Sequence, residues 1–109
     1  MYEEKTGQEI EVYQTNRYVK KFKSLTLEEQ RAVDDEIEKI IVNPEIGDRK
    51  KGDLSHLLVH KFYIDKQQYL LGYSWIDHKL EIYLLQLGTH ENYYGEQKRH
   101  RKADLRLIS

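Results

Sequence analysis

LLVHKFYIDKQQYLLGYSWIDHKLEIYLLQL, residues 57–87, holds three runs rich in Leu, Tyr, Val and Ile with two short polar breaks between them. The runs are Leu57–Ile64, Gln68–Ile76 and Leu80–Leu87, and the breaks are Asp65-Lys66-Gln67 and Asp77-His78-Lys79. Short apolar runs bounded by polar clusters read as strands. Breaks this short imply hairpins, so the segment predicts an antiparallel meander. Side chains of a strand alternate between two faces. With Asp77–Lys79 as one loop, Tyr73 is expected opposite Tyr83 and Gly72 opposite Leu84. With Asp65–Gln68 as the other, Phe62 falls opposite Leu71 and Lys61 opposite Gly72. One face then carries Leu58, His60, Phe62, Ile64, Tyr69, Leu71, Tyr73, Trp75, Tyr83, Leu85 and Leu87, the better surface for helix packing. The other carries Val59, Lys61, Tyr63, Leu70, Gly72, Ser74, Ile82, Leu84 and Gln86, smaller and more polar at its centre, as an open groove would be. A slip of one residue in either loop exchanges these assignments.

Upstream, Thr26-Leu27-Glu28-Glu29 is a capping box, in which hydroxyl and carboxylate each satisfy an otherwise unpaired backbone N–H. Val33, Ile37, Ile40 and Ile41 follow at helical spacing as one apolar stripe. Asn43-Pro44 ends that helix, because proline disfavours helix in the residue before it. Asn16 is the expected cap of a shorter helix over residues 17–24, burying Tyr18, Phe22 and Leu25. Before it, Ile10 and Val12 alternate with Glu9 and Glu11 as a short strand over residues 9–13. From Glu91 onward, good helix formers and basic residues read as a short C-terminal helix or arm. The fold class that follows is α+β: two N-terminal helices packed on a small antiparallel sheet, one domain over residues 1–109.

The chain has no cysteine, which excludes disulfides and thiolate metal sites and is compatible with a reducing cytoplasm. The charged start, Met1-Tyr2-Glu3-Glu4-Lys5, and the lack of any long apolar run predict a soluble, cytoplasmic chain with no membrane association. Net charge is −1, yet its distribution is uneven. Residues 27–48 hold eight Asp/Glu against two Lys/Arg, whereas residues 49–106 hold eleven Lys/Arg against seven Asp/Glu. Such a separation can orient a polyanion, although two ordinary solvated faces would look the same.

Gly88-Thr89-His90-Glu91-Asn92-Tyr93-Tyr94 follows the last strand directly. Glycine allows a sharp exit that aims His90 at the end of the sheet. Histidine exchanges protons near neutral pH, which RNA cleavage through attack of a 2′-hydroxyl requires. Tyr94, four residues on, is placed to share a helical face with His90 and to stack a base. Spacing alone makes His90 a capping or surface residue first. Lys61 stands in mid-strand opposite a glycine, where an ammonium can neutralise a scissile phosphate. An exposed lysine on a solvated sheet face is the equal alternative. Tyr63 shares its face, and the Arg49-Lys50-Lys51 and Lys98-Arg99-His100-Arg101-Lys102 clusters can hold phosphate through charge. His60 is expected to face the core, and His56 and His78 to lie on the surface. No metal-ligand spacing, phosphate-cradling glycine loop or nucleophile elbow is present in the sequence.

Taken in order, the helix pair, Asn43-Pro44-Glu45, Lys51-Gly52-Asp53-Leu54, Val59-His60-Lys61-Phe62, Tyr69-Leu70-Leu71-Gly72-Tyr73 and the Leu87–Tyr94 segment resemble toxins of the RelE/ParE superfamily, over residues 13–102. The resemblance implies the toxin of a type II toxin–antitoxin system, closer to the RelE-like mRNA interferases. Its activity would be ribosome-dependent, metal-independent cleavage of mRNA, without a cofactor. Its partners would be mRNA on the ribosome and a cognate antitoxin, bound as a hetero-oligomer. By motif position the resemblance makes His90, Lys61 and Tyr94 catalytic; Tyr63, on its shared face, and Lys50, Lys51, Lys98, Arg99 and Arg101, on their charge, are the expected RNA-binding residues. Leu70 stands where arginine-bearing members place a catalytic Arg. Two other functions fit the same resemblance: a ParE-like inhibitor of DNA gyrase, and an inert relative that only binds an antitoxin.

Overall fold

The computed structural model describes residues 9–109. Its elements are β1 (Glu11–Gln14), α1 (Asn16–Lys23), α2 (Leu27–Val42), β2 (Asp48–Arg49), a 3₁₀ turn (Gly52–Leu54), β3 (Leu58–Ile64), β4 (Gln67–Ile76), a second 3₁₀ turn (Asp77–Lys79), β5 (Glu81–Gly88), α3 (Tyr93–Arg99) and α4 (Arg101–Ile108). The fold is α+β, with two N-terminal helices on a five-stranded sheet of order β1-β5-β4-β3-β2. The expected meander β3-β4-β5 forms its centre. β1 extends it in parallel alongside β5, which makes the whole sheet mixed. The C-terminal part is two short helices rather than one.

The capping box at Thr26 is formed, with Glu29 N–H donating to the Thr26 hydroxyl and Thr26 N–H donating to the Glu29 carboxylate. For α1 the cap is Thr15, not Asn16. Its hydroxyl accepts from Tyr18 N–H and also donates to the Leu85 carbonyl, so one side chain both starts the helix and ties it to the sheet. Val33 and Ile40 of α2 are fully buried, and Ile37 and Ile41 pack beside them on Leu58, Phe62, Leu71 and Tyr73, as the apolar stripe predicts. Burial of each such side chain contributes about 1.5–3 kcal/mol. Tyr73 adds a polar tie: its hydroxyl donates to the Pro44 carbonyl and accepts from Gly47 N–H, fixing the exit of α2 above the sheet.

Both hairpin registers differ from the expected ones. The first turn has only two residues, Asp65 and Lys66, with Asp65 at φ 55°, and it places Phe62 opposite Tyr69 and Lys61 opposite Leu70. That shift is even, so every β3 and β4 side chain keeps its expected face. The second loop is longer than expected by one residue, because Leu80 takes a left-handed conformation after the 3₁₀ turn and closes it. Ile76 therefore faces Glu81, and Tyr73 faces Leu84. This odd shift exchanges faces: Ile82 and Leu84 join the helix-packing core, while Tyr83 and Leu85 lie on the opposite side. A bulge between Gly72 and Tyr73 then leaves Leu85 as an extra residue and restores Leu87 to the helix side, opposite Leu71.

The opposite face is not an open groove at its centre. Leu54, Leu57, Val59, Leu70, Tyr83, Leu85 and Tyr93 form a second buried cluster there, beneath α3. Only the far ends of β3 and β4 stay open, with Lys61 and Tyr63 exposed.

Candidate active site

The strand registers set the site's base. Lys61 pairs with Leu70, and Leu70 pairs with Gly88, so Lys61 and the exit of β5 share one row of the sheet. Two strand spacings separate them, about 10 Å. Lys61 lies on the side of α3, as its neighbour Leu70 does. After Gly88 the chain turns through Asn92, at φ 53°, into α3. Asparagine tolerates this conformation better than most residues. Gly95 leaves room for it, because a Cβ there would lie 2.6 Å from the Asn92 Oδ1.

This turn brings three of the expected residues together. The exposed His90 ring meets Tyr94 edge-on, with centroids 6.2 Å apart. His90 precedes α3 rather than belonging to it, so the contact arises from the turn and not from helical spacing. Tyr94 in turn stands edge-on to the buried Tyr93 at 5.3 Å. The Lys50 ammonium lies 5.3 Å from the centre of the Tyr94 ring and 3.6 Å from the Asp48 carboxylate. A cation over an aromatic face contributes about 0.5–1 kcal/mol in such partly exposed settings. An exposed imidazole and a half-buried ammonium thus both adjoin the half-buried Tyr94 ring just after β5. Lys61 lies in the row of Gly88, while Lys50 enters from beside Leu57, four residues away along β3.

The remaining expected residues are more dispersed. Lys51 and Lys98 are exposed. Arg99 is exposed and pairs with Glu96 at 2.7 Å. Arg101 donates to the Asp53 carbonyl at 2.6 Å and so pins the start of α4 to the first 3₁₀ turn. His60 faces the core side as expected, where its Nε2 meets the Glu36 carboxylate at 2.7 Å. Burial pushes the Glu36 carboxyl up, but hydrogen bonds from His60 and Lys39 outweigh it and hold the group below the usual range.

His56 is half-buried rather than on the surface, and its Nε2 has no hydrogen-bond partner among the described residues. Burial holds its imidazole below 6.5, against the pull of Asp104 and with the help of Arg101 and Arg17. A histidine whose folded-state value is depressed contributes stability that is complete above 6.5 and lost as pH falls below it. The melting temperature is therefore expected to drop as pH falls through and below 6.5, and His56→Leu should flatten that drop. An unchanged pH slope in His56→Leu would show that other groups carry the acid sensitivity.

Arg17, Gln86, Gln97 and Asp104 form a buried polar cluster that the sequence reading does not single out. Arg17 donates to both carboxylate oxygens of Asp104, at 2.9 and 2.7 Å, and Asp104 is only 2% exposed. One signal was visible: Gln86 interrupts an otherwise apolar strand. The partners of that glutamine, Arg17 and Tyr93, come from α1 and α3, and Arg17 is held in turn by Asp104 of α4, so they leave no local pattern. A cleft of about 560 Å³ between α1 and α4 is lined by Arg17, Lys20, His100 and Asp104, and by none of the residues around His90. Among the described residues, no group of three or more His, Asp or Glu side chains is placed to hold a metal ion, and no helix is long and apolar enough to cross a membrane.

No curated protein matches the chain in sequence. Among solved structures, the free Escherichia coli toxin RelE carrying two arginine-to-alanine changes superimposes with a TM-score of 0.68 at 16% identity, covering 87% of this chain and 98% of that one. RelE in the intact E. coli RelBE toxin–antitoxin complex gives 0.62 at 18% identity, over 75% and 98%. RelE bound to a peptide of the antitoxin RelB gives 0.62 at 19% identity, over 82% and 94%. At these identities the likeness is one of fold. In sequence, the family model described as the ParE-like toxin of type II bacterial toxin–antitoxin systems matches residues 12–98, a span running from β1 through nearly all of α3, and the chain belongs to that family.

Proposed function

We propose that this toxin cleaves mRNA on the ribosome without a metal ion, and that a cognate antitoxin binds it as a hetero-oligomer and blocks the site. The observation that carries the reading is that His90 and Lys50 both lie against the Tyr94 ring just after β5, the strand whose last residue, Gly88, shares a sheet row with Lys61. In RNA cleavage a 2′-oxygen attacks the adjacent phosphorus and the 5′-oxygen leaves, so a proton must be removed from one and supplied to the other. His90 supplies the imidazole at the site, the side chain most often used for general acid–base transfer. Tyr94 offers its ring to a base. Lys61 and Lys50 offset the charge that builds on the phosphate. Tyr63, Lys51, Lys98, Arg99 and Arg101, more dispersed over the surface, would add charge and an aromatic ring for RNA. The antitoxin partner is supported by the relatives solved with RelB, and the cytoplasm by its ribosomal target.

A second reading, inhibition of DNA gyrase without catalysis, is favoured by the ParE-like family match. Expression of the toxin followed by primer extension on cellular mRNA separates the two. Codon-phased cuts are expected, and Lys61→Ala should reduce them by about 10- to 100-fold at matched expression, the cost of losing one phosphate-facing charge. Intact mRNA together with cleaved DNA would overturn the nuclease reading in favour of gyrase.

A further inference from the structure

The polar cluster beneath α3 has a directional pattern of hydrogen bonds. Asp104 holds the Arg17 guanidinium from one side through two charged bonds. On its other side Arg17 donates to the side-chain oxygens of Gln86 and Gln97, each at 3.4 Å. An amide whose oxygen is engaged by a guanidinium presents its NH₂ the other way. Both NH₂ groups converge on Tyr93: Gln86 donates to its carbonyl at 3.2 Å, and Gln97 to its hydroxyl oxygen at 3.5 Å. The Tyr93 hydroxyl then donates to the Gln86 carbonyl at 2.8 Å. Burial pushes this hydroxyl up, against the smaller pull of Gln97, so it stays a donor. Beneath it lies Gly72, where a Cβ would stand 2.6 Å from the Tyr93 hydroxyl and 2.7 Å from the Gln97 amide nitrogen.

Tyr93 is the first residue of α3, and its ring is the surface against which Tyr94 stands. Its carbonyl and its hydroxyl are both gripped, which fixes the rotation of the helix start about its axis. Tyr94 and the His90 ring that meets it inherit that rotation. We propose that Tyr93, gripped by the two glutamines that Arg17 orients, is the positioning residue that sets His90 and Tyr94 against each other. The catalytic consequence rests on the nuclease reading above; the geometric one does not.

Tyr93→Phe removes only the hydroxyl and keeps the ring that fills the core. Proton NMR of the full chain should show the His90 and Tyr94 ring resonances displaced from their wild-type positions. Single-turnover cleavage on saturated ribosomes should fall by about 10- to 100-fold, the cost of a misplacement of about an ångström, with ribosome affinity unchanged. Gln97→Met, which leaves Tyr93 intact, should displace the same resonances by less, and it decides the question if Tyr93→Phe does not fold. The double variant should be no worse than Tyr93→Phe, because residues acting as one unit are not additive. Lower thermal stability with His90 and Tyr94 resonances unmoved, and with cleavage per folded molecule intact, would make Tyr93 a packing residue only and overturn the proposal. If the wild-type chain cuts no RNA while both variants still displace the resonances, the positioning role stands and the nuclease reading falls.

Discussion

His90→Gln is expected to lower single-turnover cleavage by about 10²- to 10⁴-fold while leaving the fold and ribosome binding in place. Glutamine retains hydrogen-bonding capacity but cannot transfer a proton near neutral pH, and a positioned general acid or base contributes an effect of this size. Stability should hold, because the His90 side chain is exposed and its described contact is the edge of the Tyr94 ring. The Tyr93 N–H bond to residue 90 uses the backbone carbonyl, which the substitution keeps. Surface replacements of this kind change stability by about 0.5 kcal/mol or less. Affinity for RNA rests mainly on charge, so neutralising Lys98 and Arg99 should do the reverse, weakening binding and its salt dependence while sparing the chemistry of bound complexes. Arg101 is a poorer choice for that comparison, since its bond to Asp53 gives it a structural duty as well. Saturating ribosome concentrations isolate the chemical step, and a melting curve taken on the same preparation reports the fold. Near-normal cleavage by a well-folded His90→Gln variant would remove His90 from catalysis, and with it the main reason to prefer nuclease over gyrase inhibitor.

Features set by neighbouring residues were legible from the sequence. The Thr26 capping box and the Val33–Ile41 stripe depend on spacings of three and four residues, and both are formed as expected. The three central strands and the closeness of His90 to Tyr94 belong to the same class, although the turn at Asn92 rather than a helical face brings the two rings together. Registers were not legible, because each depends on a backbone conformation that the residue type does not announce. Leu80 is a branched residue in the left-handed region, which costs about 1–2 kcal/mol and is accepted only because the paired strands on either side require it. Leu85 is the extra residue of a bulge with leucines at 84 and 87 around it, and nothing in Leu84-Leu85-Gln86-Leu87 marks which residue slips. The covered centre of the second face follows from the same cause. It needs Tyr93 and Gln97 laid over Gly72, a contact across more than twenty residues that local pattern cannot express. Most distant is the pairing of Arg17 with Asp104, where two ordinary charged residues become an ion pair, its carboxylate buried, that ties α1 to α4.

That ion pair carries the largest expected effect on stability. Arg17→Met is expected to destabilise the protein by about 3–5 kcal/mol, because it leaves the Asp104 carboxylate buried without its partner. Asp104 is 2% exposed and both of its oxygens are engaged by Arg17, so water cannot take over the lost bonds without opening the contact between α1 and α4. Arg17 itself keeps 21% exposure, and that access to solvent favours the lower half of the range. Even so, the loss is a large part of the 5–15 kcal/mol typical of a domain. The exposed pair Arg49–Glu45, at 4.0 Å, is a useful contrast: Arg49→Met should cost no more than about 1 kcal/mol. Charge removal on both sides tests the cause. The double variant Arg17→Met with Asp104→Leu leaves no buried charge, and it should recover most of the stability lost in the single variant, as apolar replacements of buried pairs do. Urea denaturation monitored by circular dichroism gives both quantities, with a shifted midpoint at constant slope marking a change in stability alone. A loss below about 1 kcal/mol in Arg17→Met would mean that Asp104 finds water as readily as it finds Arg17. In that event α4 is not fixed to α1 by charge, and the orientation of Gln86 and Gln97 toward Tyr93 would need another source.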